Sequence, residues 1–322
     1  MTALLIGAGL ALFAFGGELL LRGAVGLAAR LRLSPAIVGL TVVAAGTSVP
    51  ELAVSLLASV EQQTDIAVGN VVGSNLFNLL AIVGLSALVR PLGIGGNTIR
   101  LEYPVLALVT LLCLALTQDG RVNRLDATLL LAIYIGFTAY MVSLVREQMS
   151  AHEVQEFSAE ARDRDRGGPS AGLARLMALV TAGVVLLGAG AQATVTGAVA
   201  LAAWFGLSEH VVGLTIVAAG TSLPEVVTSL VSVARGRDDV AIGNVVGSNL
   251  FNILVILGLS ATVAPLEVNA GIVASDNWWM LGATLLLFPM MVSGARIGRL
   301  EGAALLGVYG VYLARLLGSA QP

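Results

Sequence analysis

The chain contains one long stretch twice, and each copy carries a carboxylate in the middle of an apolar run. Residues 39–60 read GLTVVAAGTSVPELAVSLLASV and residues 213–234 read GLTIVAAGTSLPEVVTSLVSVA. A second block follows each at once, DIAVGNVVGSNLFNLLAIVGLSAL at 65–88 and DVAIGNVVGSNLFNILVILGLSAT at 239–262. The offset is 174 residues in both blocks, so Glu51 corresponds to Glu225 and Asn78 to Asn252. A repeat this close requires two related halves, and the buried position of the acid requires each half to accommodate it.

The surroundings of the repeat place it in a membrane. Of the 322 residues, 57% are hydrophobic and 11% charged, more apolar surface than a soluble domain of this size can hide. Runs of about 20 apolar residues cross a bilayer core of roughly 30 Å, and here they succeed one another. Ten spans are expected, near 3–29, 35–60, 66–89, 101–118, 126–145, 173–203, 209–234, 240–264, 277–294 and 300–317. The first lacks a basic flank and a small-residue cleavage site and reads as retained. The one long polar segment, 147–172, reads as a linker between a first repeat, 1–146, and a second, 173–322. Cys113 stands alone in an apolar run, which excludes an intrachain disulfide. His152 and His210 lie in polar connections and read as solvated residues. The net charge of −3 is uninformative about partners, and no nucleic acid, cofactor or enzymatic role is expected.

All 17 basic residues are arginines, and they sort the connections by side. Alternating the loops gives one side Arg22, Arg30, Arg32, Arg90, Arg100, Arg146, Arg162, Arg164, Arg166, Arg175, Arg235, Arg237, Arg296 and Arg299, and leaves Arg121, Arg124 and Arg315 on the other. The positive-inside rule then puts the linker in the cytoplasm and both termini outside. Five spans per repeat is an odd number, so the second repeat enters the membrane inverted. The expected fold is an all-α membrane protein of ten transmembrane helices in two inverted five-helix repeats, the layout of a secondary transporter with its site near the midplane.

Pro50 and Pro224 fall inside spans. Each lacks the N–H that would reach the carbonyl four residues back, at Gly46 and Gly220, so each helix should break or kink there. The freed carbonyls must face protein or water, because lipid offers no partner. Thr47 and Glu51 are four apart, as are Thr221 and Glu225, so each pair shares a helix face; Ser74 with Asn78, and Ser248 with Asn252, repeat the spacing. These are hard oxygen donors, suited to Na⁺ and Ca²⁺ rather than thiophilic metals.

Small and hydroxylated residues in membrane helices also serve close packing, and Ser55, Ser229, Asn70 and Asn244 read equally well that way. Glu51 and Glu225 do not. A carboxylate at mid-bilayer costs a few kcal/mol or more and needs a partner, and no basic residue lies at that depth. Two such acids call for a cation, a metal ion or a proton. Glu18 carries no such inference, since Arg22 one turn on can pair with it.

The paired GTSVPE and GNVVGSNLFN, repeated as GTSLPE and GNVVGSNLFN, resemble the two signature repeats of the calcium/cation antiporter superfamily, and most closely those of prokaryotic sodium/calcium exchangers. The resemblance implies a prokaryotic plasma (inner) membrane protein that exchanges Ca²⁺ for Na⁺. It implies four ion sites in a diamond at mid-membrane and alternating access by sliding of the first and sixth helices. It assigns Thr47, Ser48, Glu51, Ser74 and Asn78 as ligands, with Thr221, Ser222, Glu225, Ser248 and Asn252 in the second repeat, and adds the carbonyls of Ala44 and Ala218. Several members of the superfamily carry Asp where this chain has Asn252, which leaves the calcium assignment standing and opens the question of proton coupling. A Ca²⁺/H⁺ antiporter of the same fold is the alternative. A membrane-embedded enzyme is the remote one, since both mid-membrane acids are Glu in a proline-kinked GTS segment.

Overall fold

The computed structural model describes residues 2–31, 38–148, 172–204 and 218–319. Helices occupy the described part of each expected span. Among the described residues, six helices are long and apolar enough to cross a membrane, and Gly39–Thr47 with Val49–Val60 makes a seventh, bent by 54°. The linker from 149 to 171, with His152 and Arg162–Arg166, lies outside the described residues, as do His210 and the stretch 205–217. Two spans form the centre. The apolar window of Asp238–Val263 is 100% buried and that of Thr64–Val89 is 78% buried, against 17% for Arg124–Met141, which faces outward.

Helix Thr2–Leu31 packs along helix Leu173–Trp204. Glycine makes the approach possible. A Cβ on Gly16 would come within 3.0 Å of the Gly183 carbonyl, and one on Gly190 within 3.0 Å of the Gly9 carbonyl. Those two contacts are the same contact displaced by 174 residues. In lipid, helices gain little from apolar burial and associate through such close van der Waals packing.

The break expected at the prolines sits at the serine before each. Ser48 (φ −84°, ψ 11°) separates Ala44–Thr47 from Val49–Val60, and Ser222 (φ −87°, ψ 7°) separates Ala218–Thr221 from Leu223–Ala234. Pro50 and Pro224 occupy the first turn of the following helix, where the missing N–H has no partner to lose. Farther along, the central spans widen into π-helical turns at Phe77–Ile82 and Asn252–Ile256. Turns of that kind concentrate at functional sites, and these two carry Asn78 and Asn252.

Four two-residue strands tie the halves together. β1 (Leu92–Gly93) pairs antiparallel with β4 (Arg296–Ile297), and β2 (Arg121–Val122) with β3 (Leu266–Glu267). The loop before β4 holds one residue more than its counterpart before β2. Gly120 (φ 78°) matches Gly294 (φ 82°), and the extra residue, Ala295, also takes a left-handed φ of 52°.

Candidate ion-binding site

Glu51 and Glu225 each stand in the first turn of the helix after the break, where unpaired backbone N–H groups favour a negative charge. Both are 1% exposed, and among the described residues neither takes part in an ion pair. Their hydrogen bonds cross between the halves. Ser222 donates to Glu51 Oε1 at 2.8 Å and Ser48 donates to Glu225 Oε1 at 2.8 Å. The Ser222 and Ser74 hydroxyls lie 3.2 Å apart. The structure thus brings Ser48, Glu51, Ser74, Ser222 and Glu225 into one buried cluster.

Other candidates surround it. Thr47 donates to Asn244 Oδ1 at 3.2 Å, with the Ala44 carbonyl 3.3 Å away. That carbonyl also accepts the Ser48 amide at 3.0 Å. Ala218 opens the matching turn in the second half. The π turn bearing Asn78 packs against helix Leu223–Ala234, and the one bearing Asn252 packs against helix Val49–Val60, again crossing the halves. Asn70 and Asn244 hold the acid-bearing helices in place. Asn70 donates to Ser55 Oγ (2.9 Å) and the Glu51 carbonyl (3.1 Å), and Asn244 donates to Ser229 Oγ (3.0 Å) and the Glu225 carbonyl (3.5 Å). Of the two roles the sequence left open for these four, the contacts are those of bracing.

Among the described residues, the buried oxygens with no hydrogen-bond partner include Glu51 Oε2, Glu225 Oε2, Asn78 Oδ1, Asn252 Oδ1 and Ser248 Oγ. An unsatisfied buried polar atom costs about 1–3 kcal/mol, yet here they accumulate on residues of the repeated motif. Two carboxylates and several neutral oxygens, without nitrogen or sulfur, form a donor set for a hard cation. Among the described residues no group of three or more His, Cys, Asp or Glu forms.

Two features escaped the sequence. Asn75 accepts from Asn252 Nδ2 at 3.0 Å while its own amide faces the Asn249 carbonyl (3.4 Å) and Met280 Sδ (3.7 Å). Both of those groups only accept, so Asn75 must present its carbonyl to Asn252, and Asn252 must turn its NH₂ toward Asn75. The Asn252 oxygen is therefore the atom left over. The GSN triplet in both repeats was the available signal. Glu18, expected to pair only with Arg22 (2.7 Å), also binds Arg235 at 2.8 Å, across to helix Leu223–Ala234.

Known proteins resemble the chain along nearly its whole length. The family model described as "Sodium/calcium exchanger protein" matches residues 1–143 and 175–318. The chain is 36% identical to the inner membrane protein YrbG of Escherichia coli strain K12, covering 98% of this chain and 96% of that one. It is 30% identical to the sodium/calcium exchanger MaX1 of Methanosarcina acetivorans over 95% of each. Structures of the sodium-calcium exchanger NCX_Mj superpose on 98% of the chain with a TM-score of 0.82 at 28% identity. The family is one of multi-pass membrane transporters, not of enzymes. This chain belongs to the sodium/calcium exchanger family, within the calcium/cation antiporter superfamily.

Proposed function

We propose that the chain exchanges Ca²⁺ for Na⁺ across a prokaryotic plasma membrane, with Glu51 and Glu225 as the shared counter-charge. The ligands in this reading are the carboxylates with Thr47, Ser48, Ser74, Asn78, Thr221, Ser222, Ser248 and Asn252, and the Ala44 and Ala218 carbonyls. The crossed bonds Ser48–Glu225 and Ser222–Glu51, set among oxygens that lack partners, carry the proposal. Residues 1–146 and 173–322 are the two inverted five-helix repeats, ten spans in all, with 147–172 as the cytoplasmic linker and both termini outside.

Exchange follows from the charge of such a site. With Asn78 and Asn252 neutral, the two glutamates give the site a formal charge of −2. Moving that charge through a low-dielectric barrier without a cation is costly, so the protein changes face only when loaded. Ca²⁺ and Na⁺ draw on the same carboxylates and therefore take turns. Alternating access needs a site that survives when the halves exchange conformations. Ligand contacts that repeat at an offset of 174 residues meet that condition, because each half offers the other the same serine and the same acid. The names of MaX1 and NCX_Mj point to Na⁺ as the coupling ion.

The test is ⁴⁵Ca²⁺ uptake into proteoliposomes driven by an imposed Na⁺ gradient, with a pH gradient of the same direction as control. Uptake driven by Na⁺ alone is the expected result. Uptake driven only by the pH gradient makes the chain a Ca²⁺/H⁺ antiporter.

A further inference from the structure

Several buried hydroxyls in these helices turn back onto a carbonyl one turn earlier. Thr110 donates to Leu106 at 2.9 Å, Thr117 to Cys113 at 2.8 Å and Thr284 to Met280 at 2.8 Å, the common arrangement for Ser and Thr inside a helix. Thr228 and Ser232 do otherwise. Both are 0% exposed and neither hydroxyl has a hydrogen-bond partner. Among the described residues, Ser86, at 2% exposure, and its repeat counterpart Ser260, at 0%, are in the same condition.

These hydroxyls sit on surfaces that meet. On helix Leu223–Ala234, Val227 and Val231 lie against Gly17 of helix Thr2–Leu31. At about 100° per residue, Glu225, Thr228 and Ser232 share a face turned about 110° from that one. Helix Leu223–Ala234 packs against both Phe77–Ile82 and Val83–Val89. Within Val83–Val89, Gly84 and Ala87 abut helix Arg299–Ser319, which leaves Ser86 on another face. The two segments end together, since a Cβ on Gly236 would lie 3.2 Å from the Arg90 guanidinium. Equal rises counted back from that end bring Ser232 level with Ser86 and Glu225 level with the Asn78 turn. The other side keeps only one of the three: Ser260 answers to Ser86 and is likewise without a partner, but Val54 and Ala58 stand where Thr228 and Ser232 stand in the second half.

We propose that Thr228, Ser232 and Ser86 form a subsidiary site for a dehydrated monovalent cation of the size of Na⁺, between Glu225 and the Arg90–Gly236 end. Three neutral hydroxyls cannot replace the hydration of a divalent ion, which calls for carboxylates. They suit a singly charged ion, and Glu225, one to two turns away, adds its attraction. The proposal rests on the exchange reading above in taking Na⁺ as a substrate. It adds that Na⁺ has a station on one side of the central site and not on the other.

The full-length protein in detergent, melted across a range of NaCl or of CaCl₂ at constant ionic strength, supplies the test. The near-isosteric Thr228→Val with Ser232→Ala gives the second half the residues of the first. It should raise several-fold the Na⁺ concentration that half-stabilises the protein, while leaving the Ca²⁺ curve in place. Ser86→Ala should act in the same direction. The reverse exchange, Val54→Thr with Ala58→Ser in an otherwise native chain, should lower the Na⁺ midpoint and covers the case in which the first pair fails to fold. Coincident Na⁺ curves for wild type and variants, a wild type that Na⁺ does not stabilise, or equal shifts for Na⁺ and Ca²⁺ would each overturn the site. Absence of Na⁺-driven Ca²⁺ flux in the wild type refutes the exchange reading instead and leaves these melting curves to decide the site.

Discussion

Ser48 donates its hydroxyl to Glu225 at 2.8 Å, and the partners belong to different copies of the repeat. Ser222 returns the same bond to Glu51 at 2.8 Å. Each acid thus takes a serine hydroxyl from the other half of the chain, and the two breaks are held in register by the site itself.

Removing either donor should therefore be felt in transport. A hydrogen bond to a charged group contributes about 1.5–3 kcal/mol, which corresponds to about tenfold to a hundredfold in an equilibrium constant. Ser48→Ala and Ser222→Ala should each raise the KM for Ca²⁺ in ⁴⁵Ca²⁺ flux, by similar factors because the contacts are equivalent. A large effect from one and none from the other would show that only one crossed bond supports the ion.

The acids themselves should be indispensable. Glu51→Gln or Glu225→Gln keeps volume and hydrogen-bonding capacity but removes half of the counter-charge. Each should nearly abolish exchange while the protein still inserts and runs as a single species in size-exclusion chromatography. Glu18→Gln is the control. Glu18 joins Arg22 and Arg235 at an accessible edge, so the loss should be milder and fall on stability. Near-normal Ca²⁺ flux in either buried mutant would move the site elsewhere.

The glycine-lined helix pair gives a packing prediction. A Cβ on Gly183 would lie 2.6 Å from the Leu20 amide nitrogen and 2.8 Å from its Cα, which are backbone atoms that cannot step aside. Gly183→Ala should cost about 1–3 kcal/mol through overpacking and lower the Tm in detergent. Gly188, on the same helix, has nothing within 4 Å of a Cβ. Gly188→Ala should be neutral or slightly stabilising, since Ala favours helix over Gly. Equal Tm values for the two variants would contradict the close approach.

The side assignment rests on the arginines and is checked by labelling. In a Cys113→Ala background, single cysteines at Gln155 and Asn123 are exposed to an impermeant thiol reagent on intact cells. Asn123 should label and Gln155 should not. Strong labelling at Gln155 with none at Asn123 would invert the orientation.

The apolar runs, the charged repeat and the proline breaks were legible because each is a local pattern: Pro50 lacks an N–H wherever it sits, and Glu51 is costly in any apolar span. What the sequence hid depends on partners far along the chain. Arg235 reaches Glu18 from 217 residues away. Asn75 orients Asn252 only because the carbonyl of Asn249 and the sulfur of Met280 occupy its other side. The π turns at Asn78 and Asn252 leave no compositional trace, since the same residues continue an α-helix equally well. Ser55 and Ser229 could not be separated from ligands by type, and only their bonds to Asn70 and Asn244 made them braces.

Charge movement follows from the same inventory of groups. Glu51 and Glu225 are the carboxylates of the proposed site, and the residues at the Asn78 and Asn252 positions are neutral. One Ca²⁺ cancels their charge, so the calcium-loaded form crosses nearly neutral. Na⁺ can also use hydroxyl and carbonyl oxygens, and the ligand set is large enough for more Na⁺ than the two that neutrality requires. Any Na⁺ beyond two makes the sodium-loaded form positive, and a full cycle then carries positive charge in the direction of sodium. One charge moved through 100 mV is worth about 2.3 kcal/mol. In sodium-loaded proteoliposomes placed in sodium-free buffer with external Ca²⁺, an inside-positive potential should therefore speed sodium exit and accelerate ⁴⁵Ca²⁺ uptake, and an inside-negative potential should slow it. Asn252→Asp adds an acid; if it ionises, the calcium-loaded form becomes negative and the response to potential changes with pH. A wild-type flux indifferent to the clamped potential would mean that the two sodium ions of charge balance, or two protons in their place, are all that returns.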